Sequence, residues 1–350
     1  MDQGRKLTDK KLEELESKIK KEYSQAKTDL SGKLWDYFKS FESKDKRKRD
    51  QLARGIISDD EYKQWRIGQI IIGKRWQDML DNVSKDLINA QNIAKNIATE
   101  YMADIYALNM NYATYDVENK MHIDTNFALY SREAVERIIR DNPELLPPPG
   151  VQMKKKIAAG NAVRWQKGHI QSVATQAIIQ GESVPNMATR IADVLCVSER
   201  KTAIRYARTA ITEAENAGRL DAFNRMSNMG IKLKRTWIAT LDARTRHAHR
   251  ELDGQTVGLD EPFVNSIGKI MYPGDPRADG ANIWNCRCGM ISQILGFETD
   301  VTDMKLRNTS KLGNMTYEEW KNEHGKSQNI LEPDKVASIM RARYAMEYRK

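Results

Sequence analysis

The sequence predicts an α+β protein: a mainly helical N-terminal arm followed by a compact, loop-rich C-terminal α+β domain. Three observations predict it. Apolar residues recur at helical spacing from the N-terminus to about residue 115. The period changes after Gly230, where Lys232–Thr240 reads as a strand. From there to Gly296 the chain is rich in Asp, Gly and Pro, the residues of turns. The run Pro147-Pro148-Pro149-Gly150 cannot continue a helix and marks a linker. The expected domains are therefore an arm over 1–150, the compact domain over 151–300 and a helical tail over 301–350.

In order, Leu7, Leu12 and Leu15 open an amphipathic pattern that Leu30, Leu34, Tyr37 and Phe38 continue, with Lys and Glu between them. Ser58 is placed as an N-cap before Asp59-Asp60-Glu61. From Trp65 to Leu108 the pattern suits one or two packed helices whose aromatic residues belong to a core. Residues 111–130 break it and are expected to form a connection. Ser131 then opens a short helix, Arg132–Arg140. Helices resume over about 165–179, stopped by Gly181, and over Asn186–Leu195. A third begins after Ser198 and ends near Met229, with Gly230 as its terminating residue. On the strand that follows, Trp237 and Ala239 are expected to face inward. The tail predicts two more helices, Thr316–Asn322 and Asp334–Tyr348.

Composition narrows the function. Of 350 residues, 30% are charged and 40% hydrophobic. The best apolar run, Ile67–Ile72, is short and broken by Gly68 and Gln69, far from the roughly 20 residues that cross a bilayer. The N-terminus lacks the apolar core of a signal peptide, so the expectation is a cytoplasmic protein without a membrane partner. Three cysteines exclude a disulfide scaffold. The net charge of +9 favours an acidic partner, nucleic acid foremost. Candidate DNA contacts are Lys44, Lys46, Arg47, Lys48 and Arg49, with Lys154, Lys155 and Lys156; the alternative for the first group is a solvated helix face.

The chemistry concentrates between Trp237 and Cys288. Cys286 and Cys288 lie two apart and share a face if extended, so two thiolates can hold one edge of a tetrahedral zinc with His249 as third ligand. The fourth place is open to Asp275, His247, Asp242 or Cys196. His247 and His249 can both serve only on extended chain, because two residues apart on a helix they diverge by about 200°. A structural site of this kind stabilises a loop-rich segment by roughly 10 kcal/mol. The competing reading is metal-free: buried thiols, with His249 donating to Asp242 or Asp253. Arg205, Arg208 and Glu213 read as a surface or interhelical ion-pair array, Asp242 with Arg244 and Arg246 as a loop-fixing group, Asn282 and Asn285 as turn residues, and Cys196 as core.

The stretch from about Gly168 to Cys288 resembles the Mu F-like minor head proteins of tailed phages, the phage head morphogenesis family. Carrying the resemblance are Gly181–Ala192, the helix Arg205–Gly218, Trp237 on its strand, and Asp242-Ala243-Arg244-Thr245-Arg246. His249, Leu252 and Gly254 follow as H-x-x-L-x-G, then Tyr272-Pro273-Gly274-Asp275 and Asn285-Cys286-Arg287-Cys288. The family pattern matches His249 rather than His247. The resemblance implies a non-enzymatic minor component of the head, present in few copies inside the portal vertex and assembled in the host cytoplasm. Its implied partners are the portal protein and the scaffold or major capsid protein, with DNA inside the head as a further contact. Zinc is the candidate cofactor, structural in kind. Relatives of the domain also occur beside toxin domains such as ADP-ribosyltransferases, and this chain is expected to carry no such addition. The alternatives are a metal-dependent nuclease, against which stands the lack of a clear general base, and a non-specific DNA-binding module.

Overall fold

Long periodic runs that lack helix breakers form long helices. In the computed structural model, which describes residues 3–125, 127–147, 149, 159–296, 315–326 and 333–345, the expected α+β class is found. Helices α1 (Gln3–Lys39), α2 (Glu42–Ala53), α3 (Asp59–Ile70) and α4 (Lys74–Met121) occupy most of the N-terminal third. Ser58 caps α3 as expected: its hydroxyl accepts from Glu61 N at 3.2 Å, and the Glu61 carboxylate accepts from Ser58 N at 2.8 Å. Ser131 likewise accepts from Ala134 N and opens α5 (Arg132–Asp141). Then come α6 (Ala159–Ile179), α7 (Val184–Asn228), β1 (Leu233–Ile238), a single turn α8 (His247–Arg250), β2 (Thr256–Gly258), β3 (Phe263–Asn265) and β4 (Gly268–Ile270). The series closes with α9 (Gly280–Ile283), β5 (Gly289–Ile294), α10 (Tyr317–Lys326) and α11 (Pro333–Ala345).

Two expectations need correction. Residues 111–121 do not leave the helix: α4 runs on for 48 residues. The polar side chains that read as a break are partnered along it. Thr114 Oγ1 donates back to Met110 O, and Asn111 clasps the backbone of Tyr130 in both directions at 2.9 Å. Met110, Tyr112, Ala113 and Val117 are buried beside them. The helix yields where His122 takes a positive φ of 53°. Nor is there a helix boundary between Leu195 and Ser198, because α7 is one helix of 45 residues. Leu195 and Cys196 are buried in a core, and Glu199 accepts from Gln166 at 3.0 Å. Packing there overrides the capping preference of Ser198.

Contacts group the chain into two compact units along other lines than 150 and 300. One draws on Met1–Leu15, Ala98–Met153 and Arg205–Lys350, the other on Glu16–Ile97 and Lys154–Ile204. The described residues of the second unit form helices and the turns between them. Its core includes Leu34, Phe38, Trp76, Leu80, Val83, Ile170, Met187 and Leu195. Arg66 is fully buried there, 3.2 Å from Asp45 and donating to Glu182 O at 2.7 Å. Cys196 lies in this core, where burial pushes its thiol up to about 11.

The first unit carries both sheets. The larger has the order β2-β1-β5 and is antiparallel throughout; β3 and β4 form a two-stranded ribbon. In β1, Leu233, Arg235 and Trp237 point inward, and Ala239 just beyond is buried as expected. Where α4 and α7 meet in this unit, a Cβ on Gly218 would stand 2.5 Å from Tyr106 O, so glycine permits the close approach. From the N-terminus, Thr8 accepts from Asn109 at 2.8 Å, and a Cβ on Gly4 would strike the Tyr112 ring.

Candidate functional site

The site is assembled on the inner face of β1 and at the entrance to β5. Trp237 donates its backbone N–H to Gln255 O and accepts from Gly254 N, both at 2.9 Å. Gly254 turns with a φ of +77°, a conformation side chains resist. Asp253 accepts from Ala239 N at 2.8 Å. These contacts bring α8 back over Trp237, so that the His249 ring meets the indole edge-on with centroids 6.1 Å apart.

Cys286 and Cys288 stand immediately before β5, on chain without regular structure. Such a segment must find partners for its backbone elsewhere, and here α7 supplies them. Thr209 Oγ1 accepts from Asn285 N at 2.9 Å. Thr212 Oγ1 donates to Cys286 O at 2.7 Å, and Asn216 Nδ2 to Cys288 O at 3.3 Å. The intervening Arg287 O accepts from Thr240 Oγ1 at 2.6 Å and from Arg5. Thr209, Thr212 and Asn216 follow one another at three and four residues, along one helix face. Sequence reasoning did not select them. The available signal was that spacing of polar residues in a helix otherwise rich in Ala. Asn285 adopts a positive φ of 55°, in keeping with a turn role.

Three of the four candidate ligands come together. His249 Nδ1 lies 3.3 Å from Cys288 Sγ and 3.6 Å from Cys286 Sγ, and all three ligand atoms fall within 4.8 Å of one another. All three residues are buried. The hydrogen bond from the Cys286 thiol draws Cys288 down to about 5, with His249 and the Trp237 indole acting in the same direction, while Cys286 is held well above the ordinary thiol range. A polar cavity of about 80 Å³ opens on the cluster, lined among others by Arg208, Thr240, Arg244 and Asn285.

Asp275 is not in the cluster. Its buried carboxylate accepts from Arg277 N and Nε at 3.0 Å and from Met271 N at 3.3 Å, fixing the Tyr272–Asp275 turn. Gly274 in that turn seats against α7: a Cβ there would stand 2.7 Å from Glu213 N. The other contenders for the fourth place are also engaged. Asp242 pairs with Arg287 at 2.6 and 2.8 Å, which holds its carboxyl well below the usual range. His247 lies on the α8 turn, exposed and 2.8 Å from Glu251. Cys196 belongs to the other unit. Arg246 donates to the carbonyls of Ala281 and Trp284 and approaches His249 Nε2 at 3.3 Å. His249 therefore faces sulfur rather than Asp242 or Asp253.

Glu213, expected in an ion-pair array, is buried instead, and burial raises its carboxyl well above the ordinary range. On α2, Lys44, Lys46, Arg47 and Arg49 are exposed and Lys48 half-buried; Arg49 also pairs with Asp45 at 2.6 Å. Lys154, Lys155 and Lys156 lie outside the described residues.

Residues 168–291 match the Phage Mu protein F like family. The chain carries a Mu F-like domain. Within the match lie α7, β1 and the whole His249–Cys286–Cys288 cluster. The chain is also 27% identical over 245 residues to minor head protein GP7 of Bacillus phage SPP1, covering 65% of this chain and 75% of that one. It is 26% identical over 210 residues to NAD(+)--arginine ADP-ribosyltransferase EFV of Enterococcus faecalis, of which it spans 40%. An uncharacterized protein of Haemophilus influenzae is 25% identical over 242 residues, 47% of its length. No solved structure matches the chain at a significant level. Among the described residues, no helix is long and apolar enough to cross a membrane.

Proposed function

We propose that this protein is a minor head protein of a tailed phage, acting at the portal vertex during head assembly through contacts with the portal protein and the scaffold or major capsid protein. One observation carries the reading: similarity to a phage minor head protein extends over 75% of that protein, well beyond the family segment. The chain spans 40% of the ADP-ribosyltransferase, so that activity stays with that protein. A structural rather than catalytic part is favoured by the engagement of the polar groups around the cluster. Asp242 is clasped by Arg287, and Arg246 is spent on backbone carbonyls. Contact with DNA inside the head is the accompanying proposal, resting on exposed Lys44, Lys46 and Arg47.

The test is quantitative mass spectrometry of procapsids and virions from the phage that encodes the chain, scaled to the portal subunit. A few copies per portal ring in both particles is the expected result. Presence in procapsids alone makes it an assembly factor; absence from both refutes a role in the head. For DNA, reversing Lys44, Lys46 and Arg47 to Glu is expected to weaken binding to duplex DNA and flatten its salt dependence.

A further inference from the structure

We propose that His249 Nδ1, Cys286 Sγ and Cys288 Sγ form a three-residue zinc site whose fourth position takes a water or other small ligand from the adjoining polar cavity. The inference is independent of the head-protein reading.

Geometry carries it first. With Zn–S near 2.3 Å and Zn–N near 2.0–2.1 Å, a tetrahedral centre separates sulfur from nitrogen by about 3.6 Å. The two separations here are 3.3 and 3.6 Å. Next is the fixing of the ligands. The carbonyls of Cys286, Arg287 and Cys288 are each held by a side chain, so the sulfurs are placed by contacts that require no ion. The third argument is charge. Two thiolates and a neutral imidazole cancel a divalent cation, and burial of all three favours an ion that leaves no net charge behind.

The fourth position follows from what is spoken for. Asp275, Asp242 and His247 are bound to Arg277, Arg287 and Glu251. The cavity of about 80 Å³ beside the cluster has room for water, which occupies about 30 Å³ in the liquid. Binding releases to solvent whatever proton the two sulfurs still carry. It also requires Nδ1 to give its lone pair to the metal and the imidazole proton to sit on Nε2. Arg246, now 3.3 Å from Nε2, keeps its carbonyl partners at Ala281 and Trp284 through that change.

The experiment uses the full chain purified with zinc and without chelator. Elemental analysis is expected to find about one zinc per chain, retained in Cys196→Ser and Asp275→Asn and lost in the Cys286→Ser/Cys288→Ser pair. Cobalt substitution of the unaltered chain keeps the test decisive should that pair fail to fold. It is expected to give the sulfur-to-cobalt charge-transfer band and the strong visible bands of tetrahedral cobalt. Histidine ¹⁵N spectra are expected to show His249 protonated on Nε2 with metal and on Nδ1 after chelation. A folded, zinc-replete chain with neither stoichiometric zinc nor a cobalt–thiolate band overturns the proposal. So does zinc that survives loss of both cysteines.

Discussion

Asp221 shows how individual residues set the terms in the interior of the first unit. Tyr106 and Arg343 both donate to its Oδ2, at 2.6 and 2.5 Å, while Oδ1 is buried without a partner. Burial outweighs the Arg343 attraction and raises the carboxyl from 3.8 to about 6. The folded state thus holds this proton more tightly than the unfolded one. Its contribution to stability is greatest below pH 3.8 and declines as pH rises through about 6. Urea melts from acid to neutral pH are expected to show that slope in the unaltered chain and its loss in Asp221→Asn. At neutral pH Asp221→Ala is expected to cost about 3–5 kcal/mol, because the buried Arg343 guanidinium loses the carboxylate it donates to. Thr212→Val leaves Cys286 O without its donor and is expected to cost about 1–3 kcal/mol in the same melts. Legibility at this scale followed chemical rarity. His249, Cys286 and Cys288 could be picked out because few functions use those residue types together. Asp275 was chosen for its carboxylate, which Arg277, two residues on, claims. Thr209, Thr212 and Asn216 stayed hidden because their partners are backbone groups over seventy residues away.

At the scale of elements, the sequence located most helices and the principal strand but cut two helices short. In both places a cluster of short polar residues has a local signature of a break, and tertiary packing decides against it. Ser198→Pro separates the two readings of α7. In a continuous helix it removes a backbone bond and clashes with the preceding turn, at a cost of about 3 kcal/mol or more; at a boundary before a new helix it would be tolerated. Thermal melts followed by far-ultraviolet circular dichroism are expected to show the loss. Gly274→Ala probes the seating of the Tyr272–Asp275 turn on α7. Its φ of +85° and the 2.7 Å approach to Glu213 N both oppose a methyl group. The variant is expected to lose more than the roughly 1 kcal/mol that a compatible site would gain. Tyr-Pro-Gly-Asp was visible as a motif, but its purpose, a glycine resting on a helix backbone, needed the fold.

For the molecule as a whole, the proline run marked a plausible seam, yet the residues nearest the N-terminus pack in the unit that holds β1 and β5. Deleting residues 1–15 is therefore expected to lower the melting temperature of that unit, by removing Gly4, Arg5 and Thr8 from their partners Tyr112, Arg287 and Asn109. An unchanged melt would make those residues dispensable. Surface charge reversal on α2 is accordingly a cleaner probe of DNA contact than truncation. No periodicity reveals that Arg5 meets the carbonyl of Arg287, 282 residues later. That contact has a consequence for synthesis. A chain emerging from the ribosome can bring together every segment of the helical unit once Ile204 is out. In the other unit Gly4 and Thr8 can meet Tyr112 and Asn109 early, but the contact of Arg5 with Arg287 waits for the tract around Cys286, which follows those partners by roughly 10–35 s at 5–20 residues per second. During that interval the N-terminal turn is seated on α4 while its bridge to the strand end is still unmade.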